Sequence, residues 1–179
     1  EMLGQGSTSV VRRARRRCDG LDVSLKVVRT ADPELLDVAR RELGLLMTLD
    51  HPHIIKGYDI ISTNTNIVLV LEMFDGSALM DAVRRAPQRR FGEETARHLF
   101  KALISAVAHL HDCGIVHRDV KADNVIVSND LNDLRLIDFN TAQRVEEGGA
   151  LTMTGTRDWA APEVLRGDSP GFPHDVWGT

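Results

Sequence analysis

The stretch His117-Arg118-Asp119-Val120-Lys121-Ala122-Asp123-Asn124 lies between two apolar runs, Gly114-Ile115-Val116 and Val125-Ile126-Val127. It combines a carboxylate, an ammonium and an amide in one short segment. A phosphoryl-transfer site needs a carboxylate to orient the attacking hydroxyl, a cation for the transferred group and a neutral oxygen ligand for a hard metal. Asp119, Lys121 and Asn124 supply these groups in that order. The stretch therefore predicts phosphoryl-transfer chemistry.

A second carboxylate of the metal-binding kind follows at Asp138, at the end of the strand-like run 134–137. Residues 130–133 are typical of a turn between two short strands. The predicted hairpin carries Asn124 at one edge and Asp138 at the other, so it would bring the two candidate metal ligands together.

Six motifs in the chain resemble, in the same order, those of the protein kinase catalytic domain. They are the glycine-rich loop at Gly4-Gln5-Gly6-Ser7-Thr8-Ser9-Val10-Val11, the lysine strand at Val23-Ser24-Leu25-Lys26, the catalytic loop at His117 to Asn124, the magnesium motif at Asp138-Phe139-Asn140, the end of the activation segment at Ala161-Pro162-Glu163, and the first turn of a large helix at Asp175-Val176-Trp177-Gly178. Lys121 and Thr156 resemble the serine/threonine class.

The resemblance implies an α+β fold, the two-lobed protein-kinase-like fold with a small β-rich N-lobe and a helical C-lobe. We expect residues 1–74 to form the N-lobe and hinge, and residues 75–179 to form an incomplete C-lobe. Residues 1–179 are then a partial protein kinase domain, truncated at both ends.

Hydrophobic patterning predicts strands over residues 23–28 and 66–73. Asp32 as N-cap and Pro33 at the first position predict the start of a helix that carries Glu42. Residues 93–111 form the clearest amphipathic helix. Its predicted apolar stripe consists of Ala96, Leu99, Phe100, Leu103, Ile104, Val107 and Leu110.

The resemblance also implies the cofactors ATP and Mg²⁺, and a role for each matching residue. Lys26 stands in an apolar strand, where an ammonium needs a partner, and Glu42 is the natural one. The catalytic residues expected are Asp119, Lys121, Lys26 and Glu42. The residues expected to bind the nucleotide are Gly4, Gly6, Val11, Ser24, Lys26, Glu72, Phe74 and Ile126. The metal ligands expected are Asn124 and Asp138.

Composition restricts the partners and the compartment. The 179 residues are 42% hydrophobic and carry a formal net charge of -4, which argues against nucleic acid as a principal partner. No apolar run approaches the length of a membrane helix. The two cysteines, Cys18 and Cys113, match neither a metal site nor a disulfide framework. We expect a cytoplasmic or nuclear protein that acts on a protein substrate.

Three departures from the family pattern keep an alternative open. Ser9 replaces a glycine, Asn140 replaces another, and Gly57 replaces a bulky apolar residue, where we expect a hole. Asn140 is expected to tolerate a positive φ. The alternative is a pseudokinase that binds nucleotide or acts as a scaffold. Activation by an upstream kinase or by autophosphorylation is expected at Thr152, with Thr154 as a second candidate and Arg118 as the acceptor of the phosphate.

Overall fold

The computed structural model describes residues 1–5, 9–30, 32–145 and 156–179. They form two compact units: Glu1–Asp50 with Ile55–Phe74, and His51–Ile54 with Asp75–Thr179. The first is a sheet with one described helix, and the second is rich in helices. The α+β class predicted from the sequence is confirmed.

The first unit is built on an antiparallel sheet. Its described elements are β1 (Met2–Gln5), β2 (Ser9–Arg15), β3 (Asp22–Arg29), α1 (Pro33–Thr48), β4 (Gly57–Ser62) and β5 (Asn66–Glu72). The strand order is β1-β2-β3-β5-β4. The two strands predicted from the apolar runs are β3 and β5, within one residue at each end.

Helix α1 begins as its sequence predicts. The carboxylate of Asp32 accepts a hydrogen bond of 2.9 Å from the backbone N–H of Glu34, and Pro33 occupies the first turn. The helix packs against β4 and β5. Its buried face presents Ala39, Leu43 and Leu46, and it also carries the buried Glu42.

The expectation of a hole at Gly57 is wrong. A Cβ atom at this position would lie 2.8 Å from Leu43 Cδ1 and 2.9 Å from Leu46 Cβ. These distances are shorter than van der Waals contact between carbon atoms. The two leucines therefore fill the space beside β4, and glycine lets the strand approach α1 closely.

The second unit contains short strands and helices. Its described elements are β6 (Gly76–Ala78), α2 (Leu79–Arg85), α3 (Glu93–Asp112), β7 (Ile115–Val116), β8 (Val125–Ser128), β9 (Leu134–Leu136), β10 (Gln143–Arg144), α4 (Pro162–Leu165) and α5 (Phe172–Trp177). Strands β6, β8 and β9 form one antiparallel sheet, and β7 pairs with β10. The predicted hairpin is β8–β9.

Helix α3 matches the predicted amphipathic helix to within one residue, but its buried face is rotated slightly. The buried residues are Leu99, Ala102, Leu103, Ala106, Val107 and Leu110. Phe100, predicted on the apolar stripe, is 50% exposed. The helix packs against β7, β9 and α5. Within the described ranges, no helix is both long enough and apolar enough to cross a bilayer.

Candidate active site

Buried polar side chains are concentrated at a few positions of the described chain. Ser24 and Glu42 are buried in the first unit, and the others lie in the second unit. Those of the second unit are His117, Arg118, Asn124, His174 and Asp175. Burying a polar group is costly unless it is hydrogen-bonded, so each of these positions must be held by specific partners.

In the first unit, Lys26 and Glu42 meet as the sequence predicts. Lys26 Nζ lies 2.9 Å from one carboxylate oxygen of Glu42 and 3.2 Å from the other. The side chains are 15% and 4% exposed. This pair joins β3 to α1 at a depth where an ammonium is costly without a counter-charge.

The other nucleotide-binding candidates of this unit follow the strand register. Gly4 pairs with Val11, and Val11 pairs with Lys26. Ser24 Oγ donates a 2.9 Å hydrogen bond to the carbonyl oxygen of Glu72. The backbone thus holds these five candidates on adjacent strands.

Two further nucleotide-binding candidates of residues 1–74 are Phe74 and Gly6. Phe74, the last residue of the first unit, is half-buried. The candidate Gly6 lies outside the described residues.

In the second unit, the carboxylate of Asp119 is the centre of a hydrogen-bonded cluster. Its Oδ2 accepts from Lys121 Nζ at 2.6 Å and from Asn124 Nδ2 at 2.8 Å. Its Oδ1 accepts from both the N–H and the hydroxyl of Thr156, each at 3.1 Å. Lys121 Nζ also donates to Thr156 Oγ1 at 2.5 Å. The structure therefore brings the three groups predicted from the sequence together, with the Thr156 hydroxyl on the same carboxylate.

This environment keeps Asp119 ionised. Burial acts to raise the pKa of Asp119, but the hydrogen bond and charge of Lys121, with bonds from Thr156 and Asn124, outweigh burial and hold that pKa below its usual value. Asp119 is therefore a charged hydrogen-bond acceptor at neutral pH.

His117 supports the loop from inside the core. Its ring is fully buried and packs edge-on against Phe139, with centroids 4.7 Å apart. Nδ1 accepts the backbone N–H of Asp119 at 3.3 Å, and Nε2 lies 3.1 Å from the carbonyl oxygen of Ile137. These partners fit a neutral ring that carries its proton on Nε2. Burial lowers the pKa of His117, which agrees with a neutral ring.

Asp175 is a supporting residue whose role the sequence did not predict. Its carboxylate is fully buried and accepts the backbone N–H groups of His117 and Arg118, both at 2.8 Å. His111 Nε2 lies 3.0 Å from the same carboxylate. A Cβ atom on Gly178 would lie 2.3 Å from the carbonyl oxygen of Val120, so glycine lets the end of α5 approach the loop. The only sequence signal was an acid placed directly before an apolar pair.

The candidate metal ligands lie at the same end of the β8–β9 hairpin. Val125 pairs with Leu136, and the N–H of Ile137 donates to the carbonyl of Asn124 at 2.9 Å, so Asp138 follows directly. Asp138 has a φ of 64°, whereas Asn140, whose side chain would tolerate a positive φ, is not in the left-handed region.

An amide oxygen and a carboxylate are hard ligands that suit Mg²⁺ shared with phosphate oxygens. No cluster of three or more His, Cys, Asp or Glu residues in the described part of the chain could hold a metal on its own. Asn124 and Asp138 could supply two oxygen ligands of such a metal.

The remaining candidates either have partners other than the Asp119 carboxylate or lie outside the described residues. Ile126 lies in β8, opposite Arg135. Arg118, with a φ of 68°, donates through Nε to the carbonyl of Thr141. Thr152 and Thr154 lie outside the described residues.

The sequence matches the protein kinase domain family over residues 1–179. The chain belongs to the protein kinase family. It is 38% identical over 179 residues to calcium/calmodulin-dependent protein kinase type IV of Mus musculus, covering 98% of this chain and 37% of that protein. It is also 38% identical over 181 residues to sperm motility kinase 2B of Mus musculus, covering 99% and 36%.

A plant kinase is similar at the same level. CBL-interacting protein kinase 10 of Oryza sativa subsp. japonica is 35% identical over 185 residues, covering 99% of this chain and 40% of that protein. The chain spans well under half the length of these relatives.

Proposed function

We propose that this protein kinase chain transfers the γ-phosphoryl group of ATP to serine or threonine hydroxyls of protein substrates. The proposal depends mainly on the Asp119 cluster, in which an ionised carboxylate, an ammonium and an amide share hydrogen bonds of 2.6 to 2.8 Å. Similar proteins are named as kinases, which supports the same activity.

Asp119 orients the acceptor hydroxyl in this proposal. Its Oδ1 already accepts the hydroxyl of Thr156, which has the chemistry of a threonine substrate. Because its pKa is held low, Asp119 is a weak base, and its main contribution is to align the nucleophile and accept the proton late in the transfer. Lys121, bonded to the same carboxylate, places positive charge beside the incoming phosphoryl group.

The first unit would hold the nucleotide. Lys26, fixed by Glu42, is proposed to contact the phosphates, and the backbone near Gly4 and Gly6 to approach them without a Cβ atom in the way. Val11, Ser24, Glu72, Phe74 and Ile126 are the remaining proposed nucleotide contacts. Asn124 and Asp138 would hold Mg²⁺, which neutralises phosphate charge when bound.

A transfer assay tests this proposal. The full chain is incubated with ATP labelled on the γ-phosphate, with Mg²⁺ and with three peptides that differ only in a serine, threonine or tyrosine acceptor. We expect label on the serine and threonine peptides. Nucleotide binding without transfer to any peptide would favour the pseudokinase alternative instead.

Regulation by phosphorylation is part of the proposal. Phosphorylation of Thr152 by an upstream kinase or by the protein itself would raise activity, because the added phosphate can pair with an arginine such as Arg118. Mass spectrometry of active protein and the activity of Thr152→Ala test this point.

A cytoplasmic or nuclear location is supported by the free thiols of Cys18 and Cys113 and is tested by cell fractionation.

A further inference from the structure

A cleft of about 570 Å³ lies in the second unit, between α2, the start of α3 and the β8–β9 turn. Two arginines line it, Arg85 and Arg90, together with neutral polar groups and the apolar side chains of Phe91 and Leu131. No carboxylate is among the described residues that line it. The volume is in the range of sites that bind peptide side chains or small molecules.

The two arginines of the cleft have neutral partners. Arg85 donates to the hydroxyl of Ser77, and Arg90 donates to the amide oxygen of Gln88 at 2.6 Å. No acid in the described part of the chain forms an ion pair with either guanidinium. Such groups keep most of their capacity to pair with an anion.

Two neighbouring arginines behave differently. Arg84 pairs with Asp81 at 3.1 Å, and Arg97 pairs with Glu93. Neither of them lines the cleft. The arginines next to the cleft are therefore neutralised locally, whereas those lining it are not.

The segment around the cleft is positive although the chain is acidic overall. Residues 82–92 contain four arginines and no acid, in a chain of net charge -4. Helix α3 begins directly afterwards with Gly92 as its N-cap, and no side chain caps its first N–H groups. Gly92 and Thr95 both line the cleft. Glu93 and Glu94 in the same turn are exposed and do not line it.

We propose that this cleft docks an acidic segment of a partner protein, with carboxylates beside an apolar side chain. The guanidinium groups of Arg85 and Arg90 match the planar geometry of carboxylates. Phe91 and Leu131 provide an apolar surface that a lone phosphate would leave unused. A concave lining also matches the shape of a peptide better than that of a flat membrane surface.

The cleft is linked to the candidate catalytic loop through one hairpin. The β8–β9 turn, including Ser128 and Leu131, lines the cleft, and the opposite end of the hairpin carries Asn124 and Asp138. A four-residue strand spans about 13 Å. If the proposed function holds, a substrate docked here is tethered near the loop and its effective concentration there rises.

The test measures binding directly, without ATP. A fluorescein-labelled peptide of alternating Glu and Leu is titrated with the full chain, followed by anisotropy. Arg85→Gln with Arg90→Gln should weaken binding by about tenfold or more, because two charge-assisted hydrogen bonds are lost. The matched control, Arg84→Gln with Arg97→Gln, removes the same charge and should change affinity by less than about twofold. The same peptide with Gln in place of Glu should bind at least about tenfold more weakly.

Four results would overturn the proposal. The first two are no binding of the acidic peptide by the wild-type chain and an equal loss of affinity in both double variants. The third is tighter binding of a phosphoserine peptide of the same length. The fourth is capture of the wild-type chain by phosphatidylserine vesicles, if Arg85→Gln with Arg90→Gln abolishes that capture. Transfer to a short neutral serine peptide is measured in parallel and should be unchanged in Arg85→Gln with Arg90→Gln. If the wild-type chain shows no transfer to that peptide, the proposed function is refuted, but the binding result is unaffected.

Discussion

The two units hold their candidate catalytic groups by different means. In the first, Lys26 on a strand and Glu42 on a helix meet side chain to side chain. In the second, the loop of Asp119 is fixed through its main chain, because Asp175 accepts two of its backbone N–H groups and Thr141 donates to the carbonyl of His117 at 3.0 Å. A contact between long side chains depends on the position of α1, whereas a backbone-anchored loop is organised in advance. The first arrangement is suited to regulation and the second to constant geometry.

The largest effect is expected at the centre of the second arrangement. Asp119→Asn removes the charge that orients the hydroxyl and should lower kcat by about 10³-fold. Steady-state transfer assays measure the change, and circular dichroism checks that the fold is retained. Asp123→Asn, an exposed neighbour on the same turn, is the control and should stay within a fewfold of wild type. Activity of Asp119→Asn within tenfold of wild type would remove Asp119 from its proposed role.

Asp175→Asn tests the backbone anchor itself. One acceptor oxygen becomes a donor that faces an N–H group, so we expect a loss of about 2 to 4 kcal/mol in the free energy of unfolding. Urea denaturation measures it. Asp168→Asn, at an exposed site of the same unit, should change stability by less than about 0.5 kcal/mol. Equal stability of the two variants would show that the loop does not depend on this anchor.

Glu42→Gln tests the side-chain pair of the first unit. The change keeps the shape and removes the charge opposite Lys26, so kcat/KM for ATP should fall by about 10 to 100-fold. A double-mutant cycle with Lys26→Met should give a strongly non-additive result, because both changes break the same pair. Asp37→Asn on the exposed side of α1 is the control. Additive losses would mean that the two residues act separately.

The smallest effect expected is a pH dependence that arises from His117. Its pKa is lowered by burial, so as the pH falls below about 6.5 the unfolded chain binds a proton that the folded ring does not. The free energy of unfolding then falls by up to about 1.4 kcal/mol per pH unit, until the pH reaches the pKa of His117 in the folded protein. Imidazole NMR should place the titration of His117 below that of a histidine in the unfolded chain. A His117 titration near or above 6.5 would contradict the neutral tautomer.

The sequence predicts those parts of the site that depend on residues close together in the chain. The β8–β9 hairpin could be predicted because a polar turn separates two apolar strands, and this placed Asn124 and Asp138 at one end. The start of α1 could be predicted because capping involves adjacent residues. The Lys26–Glu42 pair followed from the cost of a buried ammonium.

The remaining features depend on contacts between distant parts of the chain. Asp175 binds an N–H group 58 residues away, and no local pattern encodes that choice. The face that α3 buries is set by its neighbours, which select small Ala102 and Ala106 and leave Phe100 exposed. Hydrophobicity alone favours the larger side chain, so the predicted stripe was displaced by part of a turn.

The close approach at Gly57 has an evolutionary consequence. Because a Cβ atom there would meet Leu43 and Leu46 at less than 3 Å, the three positions cannot vary independently. The contact to Leu46 is made by its Cβ atom, which every residue except glycine carries. A larger residue at position 57 therefore requires both a smaller side chain at position 43 and a shift of α1 at Leu46. Mutational paths through this part of the first unit are therefore ordered, and the same substitution at position 57 is harmful in one background and neutral in another. The residue that position 57 tolerates thus depends on the residues at positions 43 and 46 of α1.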